Sequence, residues 1–270
     1  MKKYLVIGNP IEHSLSPKLH NYWIKINQIN AIYEKKKLNE SQIENLIYEV
    51  KDKKISGLNV TVPFKQKVIP YLDEITPEAK ETQSVNTIYL GSNGTVGDNT
   101  DIDGFQASLA DTGLVGKSSF DFKDKDIFIL GAGGVVPSII FALKRLNAKS
   151  ITISNRTRQK AENLKKIFHH INIIDWGKIP NFDMIINATS IGLKIEDRIN
   201  FDFSNVKNKF FYDVIYNPSE TNFLKTGKKF SNKICNGKWM FVYQAYYAFK
   251  IWHNFFPIID DDVIKLLNDD

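Results

Sequence analysis

The chain has 270 residues, with 36 Lys and Arg against 30 Asp and Glu for a net charge of +6, and its 43% hydrophobic and 12% aromatic content excludes a disordered chain. No run of about five like charges marks a nucleic-acid arm, the apolar stretch from Tyr4 to Ile7 is too short for a signal-peptide core, and Cys235, the one cysteine, cannot form an internal disulfide. A cytoplasmic protein with neither nucleic-acid nor membrane partners is expected, with a mild positive field that favours small anions.

In chain order, the stretch from Lys3 to Gly8 reads as a strand ended by Asn9-Pro10, and Ser16-Pro17 reads as an N-cap followed by proline at the first helical position. Leu19, Tyr22, Trp23 and Ile26 then recur at helical spacing. Ala31 to Leu38 reads as a second strand, Ser41 to Asp52 as a helix with Ile43, Leu46, Ile47 and Val50 on one face, and Ile55 to Val62 as a third strand stopped by Pro63. Ser84 to Leu90 and Gly94 to Gly97 suit a hairpin around Asn93-Gly94. A helix from Asp103 to Thr112 meets Gly113, and the polar loop from Gly116 to Asp126 marks a domain boundary. A second α/β unit follows: a strand from Ile127 to Leu130, a glycine turn, a helix to about Leu146, and strands from Ser150 to Ser154, Met184 to Asn187 and Phe210 to Val214. Phe241 to Phe255 is helical and aromatic. The fold class is α/β: an N-terminal α/β substrate domain over 1–104, completed by a C-terminal helix over 239–270, and a Rossmann-type doubly wound domain over 105–238.

Strand, glycine turn and helix together form the arrangement that binds dinucleotides. Glycines let the backbone approach a pyrophosphate, and the helix N-terminus supplies amides and partial positive charge. Gly131, Gly133 and Gly134 supply the turn, with Ala132 and Val135 beside them, and Val136 stands where a third fingerprint glycine would be; an ordinary βα turn reads the same way. The next strand ends in Ser154-Asn155-Arg156-Thr157-Arg158. An NAD site calls for an acid near this point, whereas two arginines suit a 2′-phosphate, so NADP is the expected cofactor.

Ser14-Leu15-Ser16-Pro17 before a helix suits either a carboxylate site or simple capping by Ser16. Strand alternation places Asn59 and Thr61 on one face, and Lys65 falls just past the Pro63 stop. A lysine beside an aspartate can move a proton to or from a hydroxyl. Lys65 and Asp101 are the pair best suited to this, although two solvated surface charges would read the same. No cluster has metal-ligand spacing, so no metal is expected, and His13 and His20 read as structural.

Taken together these segments resemble shikimate dehydrogenase over almost the whole chain. The motifs are Gly8-Asn9-Pro10-Ile11 through His13-Ser14-Leu15-Ser16-Pro17 and His20-Asn21, Asn59-Val60-Thr61-Val62-Pro63 with Lys65, Val85-Asn86-Thr87-Ile88, and Gly97-Asp98-Asn99-Thr100-Asp101-Ile102-Asp103-Gly104. Gly131 to Gly134, Asn155-Arg156-Thr157, Asn187-Ala188-Thr189-Ser190, Asp213-Val214-Ile215-Tyr216-Asn217-Pro218 and Gln244 follow in order. Departures from the family pattern include Phe64, Gln66, Gln83-Ser84, Lys238 and Trp239. The resemblance implies NADPH-dependent reduction of 3-dehydroshikimate to shikimate. It implies that Ser14 and Ser16 hold the carboxylate, that Asn59, Thr61, Asn86, Asp101 and Gln244 hold ring hydroxyls, and that Tyr216 stands at the site edge. Lys65 is then the acid–base residue paired with Asp101. Asn155, Arg156, Thr157 and Lys160 surround the ribose phosphate, and Val214 and Gly237 lie by the nicotinamide. The resemblance leaves a homodimer open. The alternative is a quinate/shikimate dehydrogenase with relaxed substrate or NAD preference, against which Ser14, Ser16 and Arg156 argue.

Overall fold

Strand β1 (Lys2–Gly8) is buried continuously from Tyr4 onward, the pattern of a strand covered on both faces. The computed structural model describes residues 1–110 and 122–267. The chain divides into two compact units, Met1–Gly104 with Val242–Asp270, and Phe105–Phe241. After β1 the first unit contains α1 (Ser16–Ile26), β2 (Ala31–Lys37), α2 (Ile43–Lys51), β3 (Gly57–Val60), β4 (Glu74–Ile75), α3 (Pro77–Thr82), β5 (Thr87–Leu90) and β6 (Thr95–Asp98). Its sheet runs β2-β1-β3-β5-β6-β4; β1 pairs in parallel with β2 and β3, and β5 is antiparallel to β3 and β6. Ile43, Leu46, Ile47 and Val50 of α2 are all buried, on a core shared with Leu5, Ile7, Leu58, Val60 and Phe64.

Helix α4 (Asp101–Leu109) carries the chain into the second unit, which contains β7 (Asp126–Leu130), α5 (Val136–Arg145), β8 (Ser150–Ser154), α6 (Arg158–Ile167), β9 (Asn172–Ile174), β10 (Met184–Asn187), β11 (Phe210–Asp213), α7 (Asn222–Lys229) and β12 (Lys233–Cys235). Every pairing among these strands is parallel and the order is β12-β11-β10-β7-β8-β9. Counted from β7, that is the doubly wound Rossmann order, whose ligand crevice opens where the strand order reverses, between β7 and β10. The end of the helix expected at Thr112, Gly113 and most of the loop from Gly116 to Asp126 lie outside the described residues.

Helix α8 (Lys238–His253) returns the chain to the first unit, and α9 (Asp261–Leu266) follows. A single helix over 239–270 is therefore corrected: Asn254 takes the left-handed conformation at φ 64, Pro257 follows, and Asp260 starts α9 by accepting from the Val263 amide. Trp252 of α8 lies so close to Gly57 that a Cβ there would sit 2.4 Å from its Nε1. That Nε1 donates to Ile88 O at 3.2 Å, and Trp23 Nε1 donates to Ile258 O at 2.9 Å. Among the described residues no helix is long and apolar enough to cross a membrane.

Candidate active site

Lys65 reaches its place through a turn rather than a regular element. Phe64 is buried in the core of the first unit, and the Val85 amide donates to the Lys65 carbonyl at 2.9 Å. Burying a phenylalanine is worth about 2 kcal/mol, so the residue before Lys65 anchors the turn. Lys65 is 9% exposed, and its ammonium donates to Oδ2 of Asp101, itself 5% exposed at the start of α4. The helix begins two residues earlier than Asp103 because the Gly104 amide already reaches back to Thr100 O at 2.9 Å. Asn86 Nδ2 donates to Asp101 Oδ1 at 2.9 Å and contacts Thr100 Oγ1 at 3.0 Å. Both carboxylate oxygens are thus held, and the buried charge pair is satisfied rather than stranded.

The same network reaches Asn59. Its Nδ2 donates to Asn86 O and to Thr87 Oγ1, each at 3.1 Å, and its Oδ1 accepts from the Tyr33 hydroxyl at 2.7 Å. Tyr33 also hydrogen bonds with Ser16. Ser16 is not the N-cap of α1 but its first residue. Leu15 is the cap, already in right-handed helical conformation, and the Ser16 amide donates to Ser14 Oγ at 3.4 Å. Thr61 lies just past β3, with its amide on Ile7 O at 2.9 Å. Gln244 lies on α8 against Gly104, where a Cβ would meet the Gln244 backbone nitrogen at 2.8 Å. One buried network therefore joins Lys65, Asp101, Asn86, Asn59 and Ser16. Thr87 and Thr100 are part of it with no predicted role, although each adjoins a predicted residue and so shares its motif. His20, read as structural, is fully buried, and its desolvation lowers its pKa to about 3.

In the second unit, Gly131 adopts φ +114, and a Cβ there would lie 2.6 Å from the Ala188 carbonyl oxygen, so only glycine fits between the ends of β7 and β10. Gly133 faces open space, with its nearest atom at 3.9 Å. Among the described residues no side chain makes a capping hydrogen bond at Val135, the N-cap of α5, and a helix N-terminus after a glycine turn suits an anion. Asn155 Nδ2 donates to the Thr157 carbonyl at 2.8 Å, and Thr157 precedes α6, where Lys160 is exposed. The two arginines differ. Arg158 is held by Glu162 at 3.0 Å and Asp175 at 2.6 Å, whereas Arg156 is exposed with no ion pair among the described residues. Two carboxylates already hold the Arg158 guanidinium, so of the two strand-end arginines Arg156, the one the resemblance names, is the candidate for a phosphate.

Asp213 ends β11 in a buried cluster. It accepts from Thr221 Oγ1 at 2.6 Å, from the Ile215 amide at 3.0 Å and from Asn187 Nδ2 at 3.0 Å. Burial raises its pKa to about 6 against those bonds. Val214 follows, so tight against Gly237 that a Cβ there would lie 2.1 Å from the Val214 oxygen. Tyr216 belongs to this unit and stacks on Phe241 with ring centroids 4.7 Å apart. A glycine turn closed to a Cβ at Gly131, a helix start beside it and an exposed arginine past the next strand with no ion pair among the described residues are the features a 2′-phosphorylated dinucleotide requires, so these residues fit NADP.

The family model described as the shikimate dehydrogenase substrate binding domain matches residues 6–88, and the shikimate / quinate 5-dehydrogenase model matches residues 114–215. The chain is 58% identical over 268 residues to a shikimate dehydrogenase (NADP(+)) of Pelagibacter ubique, covering 99% of each chain. It is 37% identical to the protein of that name from Caldicellulosiruptor bescii, over 100% of this chain and 95% of that one. Among solved structures it is similar to the shikimate dehydrogenase of Aquifex aeolicus, with TM-score 0.88 and 35% identity over 100% of this chain and 98% of that one. It is also similar to the shikimate 5-dehydrogenase of Thermus thermophilus in complex with NADP(H) and shikimate, with TM-score 0.86 and 27% identity over 99% of each. The Rossmann strand order, the glycine cradle and these likenesses over the full length agree: the chain belongs to the shikimate dehydrogenase family.

Proposed function

We propose that the chain catalyses the reversible, NADPH-dependent reduction of 3-dehydroshikimate to shikimate, on the route to chorismate and the aromatic amino acids, with Lys65 as the acid–base residue and Asp101 as its partner. The observation that carries this reading is the buried Lys65 ammonium held by a carboxylate that is itself held by Asn86. When bound, NADPH supplies the hydride. Reduction of a ring ketone leaves an alkoxide, and the Lys65 ammonium both stabilises that charge and gives it a proton; in the reverse direction the amine takes the proton from the hydroxyl. Asp101 holds Nζ at one place, so little orientational freedom is lost on reaction.

Ser14 and Ser16 hold the substrate carboxylate, and Asn59, Thr61, Asn86, Asp101 and Gln244 hold the ring hydroxyls, with Tyr216 at the edge of the site. Gly131, Ala132, Gly133, Gly134 and Val135 hold the pyrophosphate. Asn155, Arg156, Thr157 and Lys160 surround the ribose phosphate, and Val214 and Gly237 line the nicotinamide. A cytoplasmic location and a homodimer complete this reading, the latter to be read by sedimentation velocity.

The test is shikimate-dependent NADPH formation by the purified protein, with Lys65→Ala alongside it. Lys65→Ala is expected to lose about 10²- to 10⁴-fold in kcat, the usual share of a general acid–base group, while still binding NADPH. Near-normal turnover by that variant removes Lys65 from the chemistry, and equal use of quinate or NAD+ by the wild type favours the relaxed-specificity alternative.

A further inference from the structure

Tyr33 belongs to none of the residues given a role above. It lies on β2 in register with Tyr4 of β1 and is 1% exposed. Burial pushes its phenol well above the ordinary value of 10.0, so it keeps its single proton. That proton goes to Asn59 Oδ1 at 2.7 Å. A hydroxyl has one hydrogen to give, so the bond between Tyr33 and Ser16 is donated by Ser16. Asn59 commits both amide hydrogens to Asn86 O and Thr87 Oγ1. The only group it can present to a ligand is the remaining lone pair of Oδ1. Turning the amide over would set its oxygen against the Asn86 carbonyl, at the cost of two hydrogen bonds.

We infer that Tyr33 is a positioning residue for the substrate: its hydroxyl, between Ser16 and Asn59, makes Asn59 a pure acceptor toward a ring hydroxyl and stations Ser16 to turn its proton from the phenol to the carboxylate. This rests on the function proposed above. Tyr33 also closes a continuous path of hydrogen bonds from Ser16 through Asn59, Thr87 and Asn86 to Asp101 and Lys65. The carboxylate end and the proton-transfer end of the site are thereby held to one geometry.

Tyr33→Phe isolates the hydroxyl, because the ring keeps its stack on His20, with centroids 4.3 Å apart and planes 3° from parallel. The expected result is a KM for shikimate raised about 5- to 10-fold, as for loss of one hydrogen bond, with the KM for NADP+ within about 2-fold and a thermal midpoint within a few degrees. Combining Tyr33→Phe with Ser16→Ala is expected to raise that KM by less than the product of the two single effects, since one acts through the other. An unchanged KM, a multiplicative double variant, or a Tyr33→Phe protein that fails to fold would each overturn the assignment while leaving the proposed function intact. A wild type that does not oxidise shikimate overturns the proposed function, and this inference with it.

Discussion

Arg156 and Arg158 are two positions apart, yet only one has its charge already engaged. The Arg158 guanidinium bridges Glu162 and Asp175, both on exposed surface where such pairs contribute at most about 1 kcal/mol. Arg156 has no carboxylate among the described residues, and the planar fork of its guanidinium suits phosphate oxygens. Arg156→Ala is therefore expected to raise the KM for NADPH about 10-fold or more while leaving the KM for shikimate within about 2-fold, consistent with loss of a charge-assisted contact. Arg158→Ala is expected to change neither by more than about 2-fold. Steady-state kinetics with both substrates decide it, and a larger NADPH effect at Arg158 would reverse the assignment. In the sequence both arginines were legible as cations at a strand end. What was not legible is which one had acidic neighbours, because Asp175 approaches Arg158 from 17 residues away.

Helices α4 and α8 approach each other at Gly104, where a Cβ would lie 2.8 Å from the Gln244 backbone nitrogen and 2.9 Å from its Cβ. Those atoms cannot rotate aside, so Gly104→Ala must push α8 away, at a cost of about 1–3 kcal/mol for overpacking. Gln244 moves with its helix. The expected outcome is a lowered thermal midpoint together with a raised KM for shikimate, and a variant with normal values of both would show that α8 has slack. The element map was legible where hydrophobicity had a clear period or run. Strand β10 is an apolar run, β8 alternates isoleucine with serine and threonine, and α2 has one buried face. Elements that bury little left no such signal: α6 buries only Ala161 and Leu164, and β9 and β12 are three-residue strands that begin with exposed Asn172 and Lys233. Lys65 and Asp101 were recognisable as chemistry but not as neighbours. Their meeting spans 36 residues and depends on β3 pairing with β5, which draws Val85 onto the Lys65 carbonyl.

Across the whole molecule, the two units carry buried titratable groups of opposite sign. The first holds His20 and His253, whose pKa values burial lowers from 6.5 to about 3 and about 4. Unfolded, these histidines take up protons as pH falls below about 6.5, and folded they do not, so that unit loses stability between pH 7 and 5. His20 alone accounts for about 2 kcal/mol over this range, and the less buried His253 for a smaller share. The second unit holds Asp213, raised from 3.8 to about 6 by burial. Folded, it takes up a proton as pH falls through about 6, and unfolded it does not until below about 4, so its unit gains about 1 kcal/mol over the same interval. The carboxylates held low, such as Asp73 at about 2, do not titrate in either state above about pH 5 and leave both signs intact. Pulse proteolysis in urea at pH 7 and pH 5, with peptides mapped to each unit, is expected to show the first unit's midpoint falling and the second's rising. Asp213→Asn keeps the shape of the side chain and removes the titrating group, so it should abolish the rise in the second unit and leave the fall in the first unchanged. Midpoints that move together, or an Asp213→Asn protein whose second unit still gains stability at pH 5, would remove Asp213 as the source of the difference.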